Sequence, residues 1–176
     1  FGQVLKEGPA EDFTNKEKIA KLLRFATTHT DSATQDQSLE DYVARMQEGQ
    51  EKIYYVVAEN FNTAKNSPHL EAYRDKGYEV LYLTDAVDEL MLPFLTEFDG
   101  TPLKSAGKGE AELSEAGKES LEAEQKSLEG LLELLQDKLA DHVSEVRLTT
   151  RLTSSPACLV VDEHGVSPHL ERLLQH

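Results

Sequence analysis

Two short apolar runs, Ile53-Tyr54-Tyr55-Val56-Val57-Ala58 and Val80-Leu81-Tyr82-Leu83, constrain this chain more than any other feature. Neither alternates polar with apolar residues, so both faces of each strand demand cover. Between them Ser67-Pro68 supplies a helix start, Leu70 and Tyr73 an apolar face, and Gly77 a stop. Two such strands joined through a helix predict a right-handed crossover within a parallel sheet. The expected fold class is therefore α/β: a three-layer α/β/α unit with a short, mainly parallel sheet. A long helix and an incomplete α+β segment are expected to follow it.

The flanks add detail. Thr14 with Glu17 has the spacing of a capping box, ahead of Ile19, Leu22 and Leu23 at helical intervals. Arg24–Thr28 has strand character, and Ser38 caps a helix carrying Leu39, Tyr42, Val43 and Met46. Asp85 and Asp88 open a further helix with Val87, Leu90, Met91, Phe94, Leu95 and Phe98 as its stripe. Pro93 removes a backbone donor and is expected to kink or end it. Leu92 falls off the stripe and Leu90 lies at its border, so an apolar edge suited to docking unfolded chains is one reading; sheet cover is the other. After a turn at Gly100-Thr101-Pro102, Leu103-Lys104-Ser105 suits a short edge strand.

Composition shifts at Ala106, where the chain becomes small, polar and Glu-rich. Leucines resume at Leu121, Leu128, Leu132, Leu135 and Leu139, and with Gln125 they trace alternating steps of four and three. One amphipathic helix packed on a sheet, or a short coiled-coil scaffold, fits that spacing. Val143–Leu152 and Ala157–Val161 read as strands around Ser154-Ser155-Pro156, and Ser167-Pro168 opens a last helix. Ser67-Pro68-His69-Leu70-Glu71 recurs as Ser167-Pro168-His169-Leu170-Glu171, an echo that shared capping chemistry explains. The expected units are 1–110, a Glu-rich linker over 111–126, and 127–176.

Motifs for chemistry fail one by one. Thirty-three acids against eighteen bases leave a net charge of −15, which opposes nucleic-acid or anionic-membrane partners. Ala106-Gly107-Lys108-Gly109 lacks the upstream glycine and the following hydroxyl of a phosphate-binding loop. Glu59-Asn60-Phe61-Asn62 follows its strand without the glycines that a dinucleotide needs. His164, His169 and His176 near Asp162 and Glu163 match no zinc spacing. Cys158, with His142 or His164 as base, lies in an apolar run where cysteine behaves as a small hydrophobe. No catalytic, cofactor-binding or metal residue is expected. A stand-alone small-molecule α/β enzyme remains an alternative, and requires a polar pocket beyond the strand ends near Ala58 and Leu83.

The strings themselves resemble the ninety-kilodalton heat-shock chaperone family, most of all its bacterial HtpG type. The resemblance is carried by Phe1–Gly8, Ile19–Phe25, Tyr42–Gln50, Ile53-Tyr54-Tyr55, Ser67–Glu71, Gly77–Leu81, Thr96–Gly100, Val143–Leu152, Ser155–Cys158 and Ser167–Leu174, in family order. It implies the later α/β/α unit of a middle domain followed by the start of a C-terminal dimerisation domain. It implies a cytoplasmic chaperone that binds client proteins, is a homodimer at full length, and uses ATP and magnesium through a domain outside this chain. The fragment itself is expected to be monomeric. Leu90, Met91, Leu92 and Phe94 become the candidate client contacts, with Leu90 and Pro93 standing where relatives show an aromatic and a polar residue.

Overall fold

The computed structural model describes residues 2–109, 121, 124–162, 165 and 170. Strands β1 (Ala26–Thr27), β2 (Ile53–Val57), β3 (Val80–Leu83), β4 (Glu97–Phe98) and β5 (Thr101–Ser105) form one sheet in the order β1-β3-β2-β5-β4. β2 runs parallel to both β3 and β5, whereas β1 and β4 pair antiparallel at the two edges. The α/β class stands. The sheet is mixed, its central pairs parallel and its two edge pairs antiparallel. β5 is no edge strand, because β4 covers its outer side. The device is Asp99-Gly100: both residues have positive φ, 49° and 76°, as a two-residue hairpin requires.

Successive residues of β2 and β3 feed opposite faces, as a strand's twofold period demands. Ile53, Leu81 and Leu83 join Ala20, Leu23, Leu39, Tyr42, Met91 and Leu95 in one buried cluster. Tyr54, Val56, Val80 and Tyr82 join Ala64, Leu70 and Tyr73 in another. Each such side chain contributes about 1.5–3 kcal/mol when fully buried, so these two clusters dominate the stability of the unit. Tyr42 adds a polar anchor: its hydroxyl donates to the Glu79 carbonyl and accepts from the Tyr54 N–H at 3.0 Å and from Gln50 Nε2 at 3.1 Å.

Helices α1 (Gly2–Glu11), α2 (Lys16–Leu22), α3 (Leu39–Ala44), α4 (Phe61–Lys65), α5 (Glu71–Asp75) and α6 (Ala86–Met91) connect or cover the strands. Ser38 caps α3 in a full capping box with Asp41. Ahead of α2 the cap is Asp12, whose carboxylate accepts the Asn15 N–H at 3.1 Å, and not Thr14. The short 3-10 turn Phe13–Asn15 absorbs the threonine. α6 stops at Met91; the Phe94 and Leu95 N–H groups both turn back to the Met91 carbonyl, around Pro93.

Helix α7 (Glu129–Leu139) forms where the leucines predict a helix, but buries none of its residues. Val143–Leu152 and Ala157–Val161 are not strands. Val161 makes one isolated parallel bridge to Lys108, and the rest meets no ladder partner among the described residues. Without a partner, β-propensity alone does not make a strand. Most of 111–126, and Glu163, His164, His169, His176 and all of Ser167–Glu171 except Leu170, lie outside the described residues. Among the described residues no helix is long and apolar enough to cross a membrane.

Candidate functional site

The docking-edge candidates divide along the helix that carries them. Met91 is 1% exposed and locked in the core beside Leu95. Leu92 is half-buried against the same cluster. Leu90 stands 63% exposed and Phe94 42% exposed. Four residues apart around the Pro93 turn, these two present apolar surface from a segment whose other face is fixed by packing. Of the four candidates, two side chains are exposed.

The first turn of α6 is held by ions. Lys6, 1% exposed, places its ammonium 2.8 Å from Asp85 Oδ2 and 2.8 Å from Asp88 Oδ1. Gln3 Nε2 donates to Asp85 Oδ1 at 3.1 Å, and Gln35 Nε2 to Asp85 Oδ2 at 3.0 Å. Asp88 Oδ2 accepts the Asp85 N–H at 3.0 Å, capping the helix. Burial pushes the Asp88 carboxyl above its ordinary range despite the ammonium. For Asp85 burial acts the same way but is outweighed by the hydrogen bonds from Lys6 and Gln35, which leave it below that range.

A second constellation joins the α/β unit to the C-terminal segment. Arg151 is 1% exposed; Nη1 donates to the Ala106 carbonyl at 2.9 Å and Nη2 to the Gly109 carbonyl at 2.6 Å. The same Nη1 lies 3.3 Å from His69 Nδ1. Burial, then the neighbouring guanidinium, pushes the His69 ring down to about 4, so at neutral pH its Nδ1 lone pair faces Arg151. Glu71 accepts the backbone N–H groups of Thr153 at 2.6 Å, Ser154 at 2.8 Å and Ser155 at 3.2 Å. It also accepts the Ser154 and Ser155 hydroxyls. Those donors, the Ser154 N–H first, hold its carboxyl well below the usual carboxylate range.

The glycine turn once tested as a phosphate loop belongs to this joint. Its carbonyls and its amides are both engaged within the chain: Gly107 O accepts from Val161 N, Ala106 O and Gly109 O accept from Arg151, and the Ala106 and Gly109 N–H groups donate to the Tyr55 and Val161 carbonyls. Gly107 lies beside the His69 ring, where a Cβ would make an ordinary contact at 3.4 Å. Cys158 is half-buried; burial pushes its thiol up, against the pull of Arg151. His142 is exposed. A cavity of about 240 Å³ does open beyond the ends of β2 and β5, between His69, Glu59, Glu89, Ser105, Leu159 and Val161. Among the described residues no three His, Cys, Asp or Glu side chains are grouped to hold a metal ion.

Lys6, Glu71 and Arg151 escape sequence reasoning. Ser67–Glu71 reads as a helix start, which it is, but Glu71 also works across the joint. The signal for Arg151 is faint: a cation inside the string Val146–Leu152, where β-like alternation suggests a surface position.

Residues 1–176 match the family profile described as Hsp90 protein. The chain is 56% identical over 179 residues to the chaperone protein HtpG of Pseudoalteromonas translucida, covering 99% of this chain and 28% of that protein. It is 58% identical over 179 residues to the HtpG of Alkalilimnicola ehrlichii, with the same coverage. To the HtpG of Burkholderia cenocepacia it is 54% identical over 178 residues, again covering 99% and 28%. The chain spans little more than a quarter of the length of these curated relatives.

Proposed function

The chain belongs to the Hsp90 protein family, and from that premise we propose that it is a client-docking and coupling segment of an ATP-dependent chaperone. Its role is to offer unfolded or partly folded proteins a small apolar edge and to connect that edge to the C-terminal segment. The observation that carries the reading is Leu90, on α6, and Phe94, in the turn after it, standing exposed while Met91 and Leu95 beside them are clamped in the core. An apolar pair on a rigid mount can be covered by a client without the chain having to reorganise.

In this reading hydrolysis of ATP with magnesium, and the homodimer, belong to the longer cytoplasmic protein, and this segment neither binds nor cleaves the nucleotide. Support comes from the Ala106–Gly109 turn, whose Ala106 and Gly109 carbonyls are turned to Arg151 and whose Ala106, Gly107 and Gly109 N–H groups already donate within the chain. A backbone with its acceptors presented is the wrong polarity for phosphate. The joint through Arg151, His69 and Glu71 is the physical link by which movement of the C-terminal segment reaches the sheet.

Two titrations test this. An unfolded client added to isotope-labelled chain is expected to shift the resonances of Leu90 and Phe94 first, with β2 and β3 unmoved. Shifts confined to other surfaces would overturn the docking role. Calorimetry with magnesium and ATP is expected to be silent; a stoichiometric site would overturn the division of labour.

A further inference from the structure

The only buried side chains of α1 are Lys6 and Pro9, while Val4 and Leu5 face solvent. A ten-residue helix attached through so little apolar surface has weak hydrophobic cause to stay where it is. Gly8 and the buried Pro9 seat it beside Ile19 of α2, and its attachment to α6 is ionic. The Lys6 ammonium meets the N-cap acid Asp85 and the first-turn acid Asp88 of α6, and lies 5.1 Å from the centroid of the Phe25 ring, at the seam of α1, α6 and the sheet. α6 in turn has six residues, too few to be helical without tertiary support.

We infer that Lys6 is a positioning residue for the docking edge: by stitching α1 to Asp85 and Asp88 it fixes the start of α6 and so the outward stance of Leu90 and Phe94. The proposal rests on the docking role proposed above. α1 then acts as a strap. While Lys6 is seated, the first turn of α6 is clamped from outside by Lys6 and Gln3 and from within by the Asp88 cap. When the strap lifts, two carboxylates three residues apart lose their only cation within ion-pair distance among the described residues, and the turn that carries them loosens. Burial drives Asp88 toward its neutral form even with Lys6 present, which shows how little anionic charge this site tolerates unaided.

The test compares Lys6→Met with the triple change Lys6→Met, Asp85→Asn, Asp88→Asn in the complete chain. Amide exchange is read over Ala86–Met91 and over Ile53–Val57, beside client affinity. Lys6→Met is expected to speed exchange in Ala86–Met91 about tenfold with β2 changed less than about twofold. The triple variant keeps no unpaired charge and so folds even if the single one does not. It is expected to remain fast in α6, because the strap is still cut. Return of α6 protection in the triple variant would overturn the proposal, since Lys6 would then only neutralise charge. A uniform rise that includes β2 would overturn it too, making Lys6 a general stabiliser. Client affinity is expected to weaken about threefold in both variants, equivalent to about 0.7 kcal/mol. If Leu90→Ser with Phe94→Ser leaves client affinity unchanged, the docking role fails, while the exchange pattern still judges the strap.

Discussion

The sheet unit and helix α7 are both rich in apolar residues, yet they bury them in opposite ways. Among the described residues every buried apolar side chain other than Pro9 lies between Ala20 and Ala106, whereas α7 buries nothing. Leu128, Leu131, Leu134, Leu135 and Leu139 are all exposed, and Leu132 is half-buried. The difference teaches that periodicity states which side chains want cover, and only topology supplies it. In the sheet unit the crossover brings helices onto the strands; α7 makes its own hydrogen bonds and bonds to the coil beyond it through Gln136, whose Oε1 accepts from Val146 N at 2.7 Å.

The contrast breaks most visibly under leucine truncation. Leu81→Ala, in the centre of the sheet, is expected to cost about 2–5 kcal/mol in urea unfolding. Leu134→Ala on α7 is expected to stay within about 0.5 kcal/mol. Equal losses would mean that α7 is packed in solution.

The next effect is at the joint. Arg151→Met leaves the Ala106 and Gly109 carbonyls without their buried donor, a loss of about 1–3 kcal/mol for each group left unsatisfied. Exchange at Gly109, whose N–H donates to the Val161 carbonyl, and at Val161, whose N–H donates to the Gly107 carbonyl, is expected to rise while β3 stays protected. Unchanged exchange there would show that the joint stands without the guanidinium.

Acidification sharpens the comparison more gently. The folded His69 ring titrates near 4 against about 6.5 unfolded, so the unfolded state takes up the proton first. Its contribution is complete above about pH 6.5 and falls away between there and 4. Glu71 follows: its carboxyl is depressed, so its share is present above the ordinary carboxylate range and is lost as pH falls through and below it. Exchange over 153–161 is therefore expected to accelerate before that of Ile53–Val57 on going from neutral to acid pH. Simultaneous loss in both regions would contradict a separable joint.

The smallest effect concerns association through α7. The chain is expected to sediment mainly as a monomer at micromolar concentration, its charge of −15 opposing contact at low salt. Only slight self-association is expected once salt shortens the screening distance to about 8–10 Å. A tight dimer would mean that the exposed leucines form a real interface.

The legible parts were those encoded within one stretch of chain. β2 and β3 follow from continuous apolar runs, and α3 from Ser38 ahead of its stripe. The hairpin is written in Asp99-Gly100, but Pro102 obscures it, since proline within a short run suggests an edge; here it sits opposite Glu97 in an outer pair. The functional contacts are long-range and so are hidden. Lys6 meets Asp85 across 79 residues, and nothing near Lys6 distinguishes it from a solvated lysine. Arg151 bonds backbone carbonyls 45 and 42 residues away, and a carbonyl carries no residue identity to be read. Val143–Val161 illustrates the converse: strand-like residues that meet no ladder partner among the described residues.

The central claim is that apolar residues on a clamped mount, rather than exposed leucine as such, make the docking edge. Affinity for one unfolded client, measured for Leu90→Ser with Phe94→Ser and for Leu131→Ser with Leu134→Ser, tests it directly. The account predicts that the edge pair weakens binding at least about threefold, some 0.7 kcal/mol, while the α7 pair changes it less than about twofold. Loss of binding in the α7 pair with the edge pair unchanged would contradict it.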